Sequence, residues 1–96
     1  LAEKTISIGE INPVEIYGVN DSKLDLLKKY FPKLRIAARG VNVKVIGEEE
    51  GVMHFEMVLN LCIDYYHKYG ALTENNIERL FSHGKENTTT TEEAND

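Results

Sequence analysis

The sequence predicts an α+β domain, one small antiparallel sheet with helices packed on one of its faces. Three observations carry this. "KTISI" at 4–8 alternates apolar and polar residues, the period of a half-buried strand. "LRIAARGVNVKVIG" at 34–47 does the same on both sides of an Arg-Gly pair, as a hairpin does. Three other segments repeat apolar residues at spacings of three and four, the stripe of an amphipathic helix. The expected order is strand, helix, strand, strand, long helix, helix.

The first strand lies in "EKTISIGEI", where Ile6 and Ile8 alternate with Thr5 and Ser7. Pro13 interrupts pairing, and "VEIYG" is a short apolar stretch ending at Gly18. In "VNDSKLDLLKKYFP" one of Asn20, Asp21 and Ser22 caps a helix. Leu24, Leu27 and Phe31 form its stripe and Pro32 stops it.

For the hairpin, a loop made of Arg39 and Gly40 puts Leu34 opposite Val45, Ile36 opposite Val43 and Ala38 opposite Val41. The alternative loop, Gly40-Val41, preserves the alternation but would put β-branched Val41 at positive φ, which it resists, so the first register is preferred. It sets Arg35 directly across from Lys44 on the outer face, with Arg39 at the tip. Like charges in that position oppose pairing, and a bound phosphate would relieve them.

"EEEGVMHFEMVLNLCIDYYHKYG" opens with three acids, which a helix N-terminus favours. Val52, Phe55, Leu59, Cys62, Ile63 and Tyr66 form its stripe, and Gly70 suits its end. Met53, Met57, Leu61 and Tyr65 widen the apolar surface. Either the sheet and the last helix clasp this helix on two sides, or part of it meets another domain. "TENNIERLFSHG" is the last helix, with Thr73 as cap, Ile77, Leu80 and Phe81 as stripe and Gly84 as end. Residues 3–84 thus make the domain. The polar, acidic segment 85–96 reads as a disordered tail or linker. The chain starts at Leu1 rather than Met, as a piece of something longer would.

The 96 residues carry a net charge of −5, yet segment 22–47 holds seven basic residues against Asp25 alone, a local +6; the remaining four basic and fifteen acidic residues give −11. A local positive field on an acidic chain points to an anionic partner. No apolar run approaches the ~20 residues that span a bilayer, and the first residues lack the basic segment and apolar core expected of a signal peptide. The single Cys62 cannot form an intramolecular disulfide and fits a reducing cytoplasm. Neither G-x-x-x-x-G-K-[ST] nor G-x-G-x-x-G occurs. His54, His67 and His83 share no metal-ligand spacing. An enzyme is therefore not expected. "GVNDSK" at 18–23, a glycine opening a helix, is a candidate phosphate contact with Lys23 adding charge.

From Lys4 to Leu80 the chain resembles the N-terminal domain of PhoH-like proteins, bacterial P-loop ATPases named for phosphate starvation. The residues carrying the likeness are "KTISI", "YGVNDSKLDLLKKYF", "ARGVNVKVIGEEEGV" and "GALTENNIERL". Val41 and Lys23 depart from that family's usual asparagines. The resemblance implies a K-homology (KH)-like fold, in which a G-x-x-G loop clamps the nucleic-acid backbone. Gly18-Val19-Asn20-Asp21 occupies that place, with an acid instead of the second glycine. It also implies a cytoplasmic parent linked with RNA metabolism, whose ATP and Mg belong to a downstream ATPase domain lying beyond 96; no cofactor is expected here.

Two functions follow as expectations. In the first, the domain binds RNA or another single strand weakly through Gly18, Lys23, Lys28, Lys29, Lys33, Arg35, Arg39 and Lys44. Tyr17, Tyr30 and Phe31 are the only rings near enough to stack on bases. In the second, Met53, Met57 and Leu61 make it a protein-interaction or oligomerisation module, with the downstream ATPase domain as a partner.

Overall fold

The computed structural model describes residues 1–89, and side chains through residue 83. Strand β1 (Ala2–Ser7) leads to α1 (Pro13–Tyr17), a 3-10 turn (Val19–Asp21) and α2 (Ser22–Tyr30). The hairpin β2 (Arg35–Arg39) and β3 (Asn42–Gly47) follows, then α3 (Glu49–Tyr69) and α4 (Glu74–Thr89). The sheet is antiparallel in the order β1-β3-β2. One layer of helices covers one face, where Ile6, Ile36, Val43 and Val45 join Leu24, Leu27, Phe55 and Leu59 in a single core. The α+β class expected from the sequence is the class observed.

Helix α1 is an addition to the expected order. Pro13, read as a break in pairing, is instead a first-turn residue whose fixed φ suits a helix start. The Asn12 side chain accepts a hydrogen bond from the Val14 N–H at 3.4 Å. Five residues are too few for an apolar stripe to announce itself, and Ile16 and Tyr17 are its buried pair.

The hairpin register differs from the preferred one. Arg39 pairs with Asn42, Ala38 with Val43, Ala37 with Lys44, Ile36 with Val45 and Arg35 with Ile46, so Gly40 and Val41 form the loop. A loop of the type II′ kind needs positive φ only at its first central residue. Gly40 supplies it at +60°, and Val41 escapes the strain that had argued against this register. Arg35 therefore faces Ile46, and Lys44 faces Ala37. The inward and outward sets survive because the shift is one residue pair.

Helix α3 ends at Gly70, left-handed at φ 76°, whose N–H donates to the Tyr66 carbonyl at 2.7 Å. Sheet and α4 clasp it on two sides. Thr73 caps α4: its Oγ1 accepts the Asn76 N–H at 3.1 Å, and Asn76 Oδ1 accepts the Thr73 N–H at 2.9 Å. This reciprocal box stabilises a helix start by about 1 kcal/mol. Gly84 does not end α4, which continues to Thr89. An interior glycine costs about 1 kcal/mol relative to alanine without stopping a helix. The rest of the expected tail, 90–96, lies outside the described residues.

Where α2, α3 and α4 meet, Tyr30 stacks on Phe81 at 4.5 Å between centroids. Phe31 stands edge-on to Phe55 at 5.4 Å and to Phe81 at 5.5 Å. Such pairs each add about 0.5–1.5 kcal/mol beyond their burial.

Cys62 is fully buried, and burial pushes its thiol pKa up from 9.0 to about 12. Because the folded value is raised, the folded state keeps its proton longer than the unfolded chain. The thiol's contribution is complete below pH 9 and is lost as pH climbs from 9 towards 12. Urea midpoints should accordingly fall more steeply above pH 9 in the native sequence than in Cys62→Ala. Parallel pH curves for the two would contradict this.

Candidate nucleic-acid interface

The glycine loop is built by three unusual backbone conformations in four residues. Gly18 lies at φ 85°, ψ 165°, and its N–H closes α1 on the Val14 carbonyl at 2.8 Å. A β-carbon there would sit 2.7 Å from the Lys23 backbone nitrogen, so the position requires glycine on two counts. Asn20 (φ 56°) and Asp21 (φ 61°) are both left-handed, and the Asp21 N–H donates to the Gly18 carbonyl at 3.1 Å. Asn and Asp tolerate that region better than other side chains. Asp21 thus holds a backbone conformation that suits glycine while adding a negative charge. Its side chain makes no capping bond to α2. Gly18 itself is buried, and the loop opens to solvent only from Val19, 71% exposed, through Asp21.

The loop and the hairpin tip share one end of the molecule. The hydroxyl of Tyr17, only 7% exposed, donates to the Gly40 carbonyl at 2.8 Å. Burial, then the charge of Asp21, raise the Tyr17 pKa above its ordinary value, so it remains a protonated donor. On the other side of the tip, the Ile8 N–H donates to the Val41 carbonyl at 2.8 Å. The hairpin tip is thereby held against Tyr17 at the start of the glycine loop, while the Arg39 side chain, at the end of β2, lies on the outer face of the sheet. Sequence reasoning did not find this role for Tyr17. Its signal was a tyrosine amid buried positions, a ring that brings a hydroxyl in need of a partner.

The basic residues do not converge on one groove. Lys23 folds back, its Nζ donating to the Glu15 carbonyl at 3.1 Å, and ties α2 to the end of α1. Lys28 and Lys29 are exposed on α2, in the helical layer. Exposed Lys33 borders a shallow hollow that Glu48 and Glu50 also line. Arg35, Arg39 and Lys44 are exposed on the opposite face of the sheet. The observed register removes the direct Arg35–Lys44 opposition; the two are diagonal neighbours. Lys44 also has an acid, Glu3 of β1, at 3.4 Å. None of the three candidate rings is free to stack on bases: Tyr17 and Phe31 are buried, and Tyr30 is half-buried against Phe81.

On α3, Met53 is 61% exposed, and Met57 and Leu61 are half-buried. Met53 and Met57 line a mainly apolar hollow with Glu50, Gly51 and His54. Among the described residues no group of three His, Cys, Asp or Glu side chains gathers as a metal site, and no helix is long and apolar enough to cross a membrane.

No family model matches the chain, and neither does any curated protein.

Proposed function

We propose that the domain binds the backbone of a single-stranded nucleic acid, RNA in the first instance, where the Gly18–Asp21 loop meets the hairpin tip. The observation carrying this is the Tyr17–Gly40 hydrogen bond, which ties the start of the glycine loop to the hairpin tip, where β2 ends at Arg39. The order strand, helix, glycine loop, helix, strand, strand, helix supports a KH-like reading, in which such a loop clamps phosphates. No side chain caps α2, and beyond the Asp21 and Ser22 N–H groups, which donate to the Gly18 and Val19 carbonyls, its first-turn N–H groups are the donors an anion would take. Asp21 opposes that anion and keeps binding weak. With no exposed ring nearby, contacts go to phosphates, which position a strand without reading its sequence. Affinity then falls steeply with salt. By its resemblance, the domain is proposed to serve a PhoH-like, cytoplasmic ATPase whose ATP and Mg site lies outside this chain.

Asp21→Gly tests this directly, because it keeps the left-handed backbone and removes only the acid. Its affinity for labelled oligouridine at low salt should rise about tenfold, the scale of one removed repulsive charge, while Arg39→Gln lowers it. An unchanged affinity in Asp21→Gly would overturn the loop as the site.

A second reading rests on the exposure of Met53. A Met-lined hollow suits a protein partner, the adaptable kind of surface that flexible thioethers provide.

A further inference from the structure

The sheet face turned away from the helices has a charge character unlike the rest of this acidic chain. Arg35 and Arg39 project from β2 on either side of Ala37, and Lys44 lies directly across from Ala37 on β3. Lys44 is thus diagonal to both arginines, at the ~7–8 Å of diagonal neighbours. Thr5, on the other side of Lys44, and Asn42, across from Arg39, supply polar groups without bulk. Ala37, Arg39, Asn42, Lys44 and Thr5 line a shallow depression. Its floor at Ala37 is a single methyl group. Among the described residues, the acid paired with this face is Glu3, 3.4 Å from Lys44. Both side chains are about half exposed, so water screens the pair and its contribution is small. Among the described residues Arg35 and Arg39 form no ion pair.

Fold stability does not ask for three cations around one alanine, since each diagonal pair of like charges repels. A phosphate above Ala37 would face Lys44 and stand between the two guanidiniums, two residues or ~7 Å along the strand from each. We infer that this outer face is a second phosphate seat, engaging the same nucleic-acid strand after it leaves the glycine loop. The hairpin tip, tied to Tyr17 through the Gly40 carbonyl, links the glycine loop to this face. The inference rests on the nucleic-acid reading for the identity of the polyanion, and adds where the strand runs.

The test is a titration of fluorescein-labelled twelve-residue oligouridine at several salt concentrations. It compares the native sequence, Arg35→Gln with Lys44→Gln, Ala37→Glu, Glu3→Gln and Asp21→Gly, each checked for an unchanged circular dichroism spectrum. Each phosphate contact contributes about 0.7 to the slope of log affinity against log salt for a single strand, so the Arg35/Lys44 pair should flatten it by about 1.4. The pair should also weaken low-salt binding about tenfold or more, two charge contacts being removed together. Ala37→Glu should weaken it without removing a cation, and Glu3→Gln should strengthen it. If Asp21→Gly shifts the affinity while the Arg35/Lys44 pair leaves slope and affinity unchanged, the second seat is overturned and the loop stands. If the native sequence shows no saturable binding at low salt, the nucleic-acid reading fails and the second seat fails with it.

Discussion

Replacing Phe55 with alanine is expected to lower the unfolding free energy by about 3–5 kcal/mol, the range for deleting a fully buried aromatic ring. Phe55 is completely buried on the inward face of α3 and stands edge-on to Phe31. Its removal leaves a cavity beside Phe31 in the single core that sheet and helices share. A domain of this size has about 5–15 kcal/mol in total, so the variant should be close to unfolding at 37 °C. Phe55→Leu should lose much less, because it keeps most of the apolar volume. Urea denaturation followed by circular dichroism measures both. A loss below about 1 kcal/mol in Phe55→Ala, within the range of exposed surface changes, would mean that α3 is not seated as described.

Gly18→Ala is the second large expected effect, and it reaches the site. At φ 85°, ψ 165° Gly18 lies in a region that essentially only glycine occupies, where another residue costs about 1–3 kcal/mol. The added methyl would also meet the Ser22 Oγ, the Lys23 backbone nitrogen and the Lys23 Cγ, all within 2.9 Å. The expected loss is about 2–4 kcal/mol, backbone strain and crowding together. Displacing Gly18 also displaces its neighbour Tyr17, so the bond to Gly40 should weaken and oligouridine affinity should drop. Gly40→Ala is the control. It too has positive φ, but a β-carbon there meets nothing within 4 Å, leaving only the backbone penalty of that conformation, about 1–3 kcal/mol, without the crowding. If the two variants are equally stable, the close approach at Gly18 is not real.

What the sequence made legible was local. The alternation of Ile6 and Ile8, the Leu24–Leu27 stripe, the Thr73 cap and the Gly70 stop are each set within a few residues, and all appear in the structure. The register of the hairpin was missed because positive φ was required of both loop residues, where a turn with glycine first requires it of one. α1 was missed because Asn12-Pro13 serves equally as a strand breaker and a helix start. Gly84 was over-read as a terminator. The candidate site suffered most, because it depends on pairs far apart in the chain. Tyr17 and Gly40 are 23 residues apart, and no periodicity records their bond. A charge count along 22–47 likewise cannot say that a sheet lies between Lys28 and Arg35. The basic segment folds into two separate surfaces, with Lys23 withdrawn from both.

The claim that this domain grips a nucleic-acid backbone at the glycine loop is tested most directly by nitrogen–proton NMR spectra recorded as unlabelled oligouridine is added at low salt. Fast-exchange shifts should concentrate at residues 18–23 and 39–41 and vanish as salt rises. No shift at all, or shifts confined to Met53, Met57, Leu61 and their neighbours on α3, would contradict it.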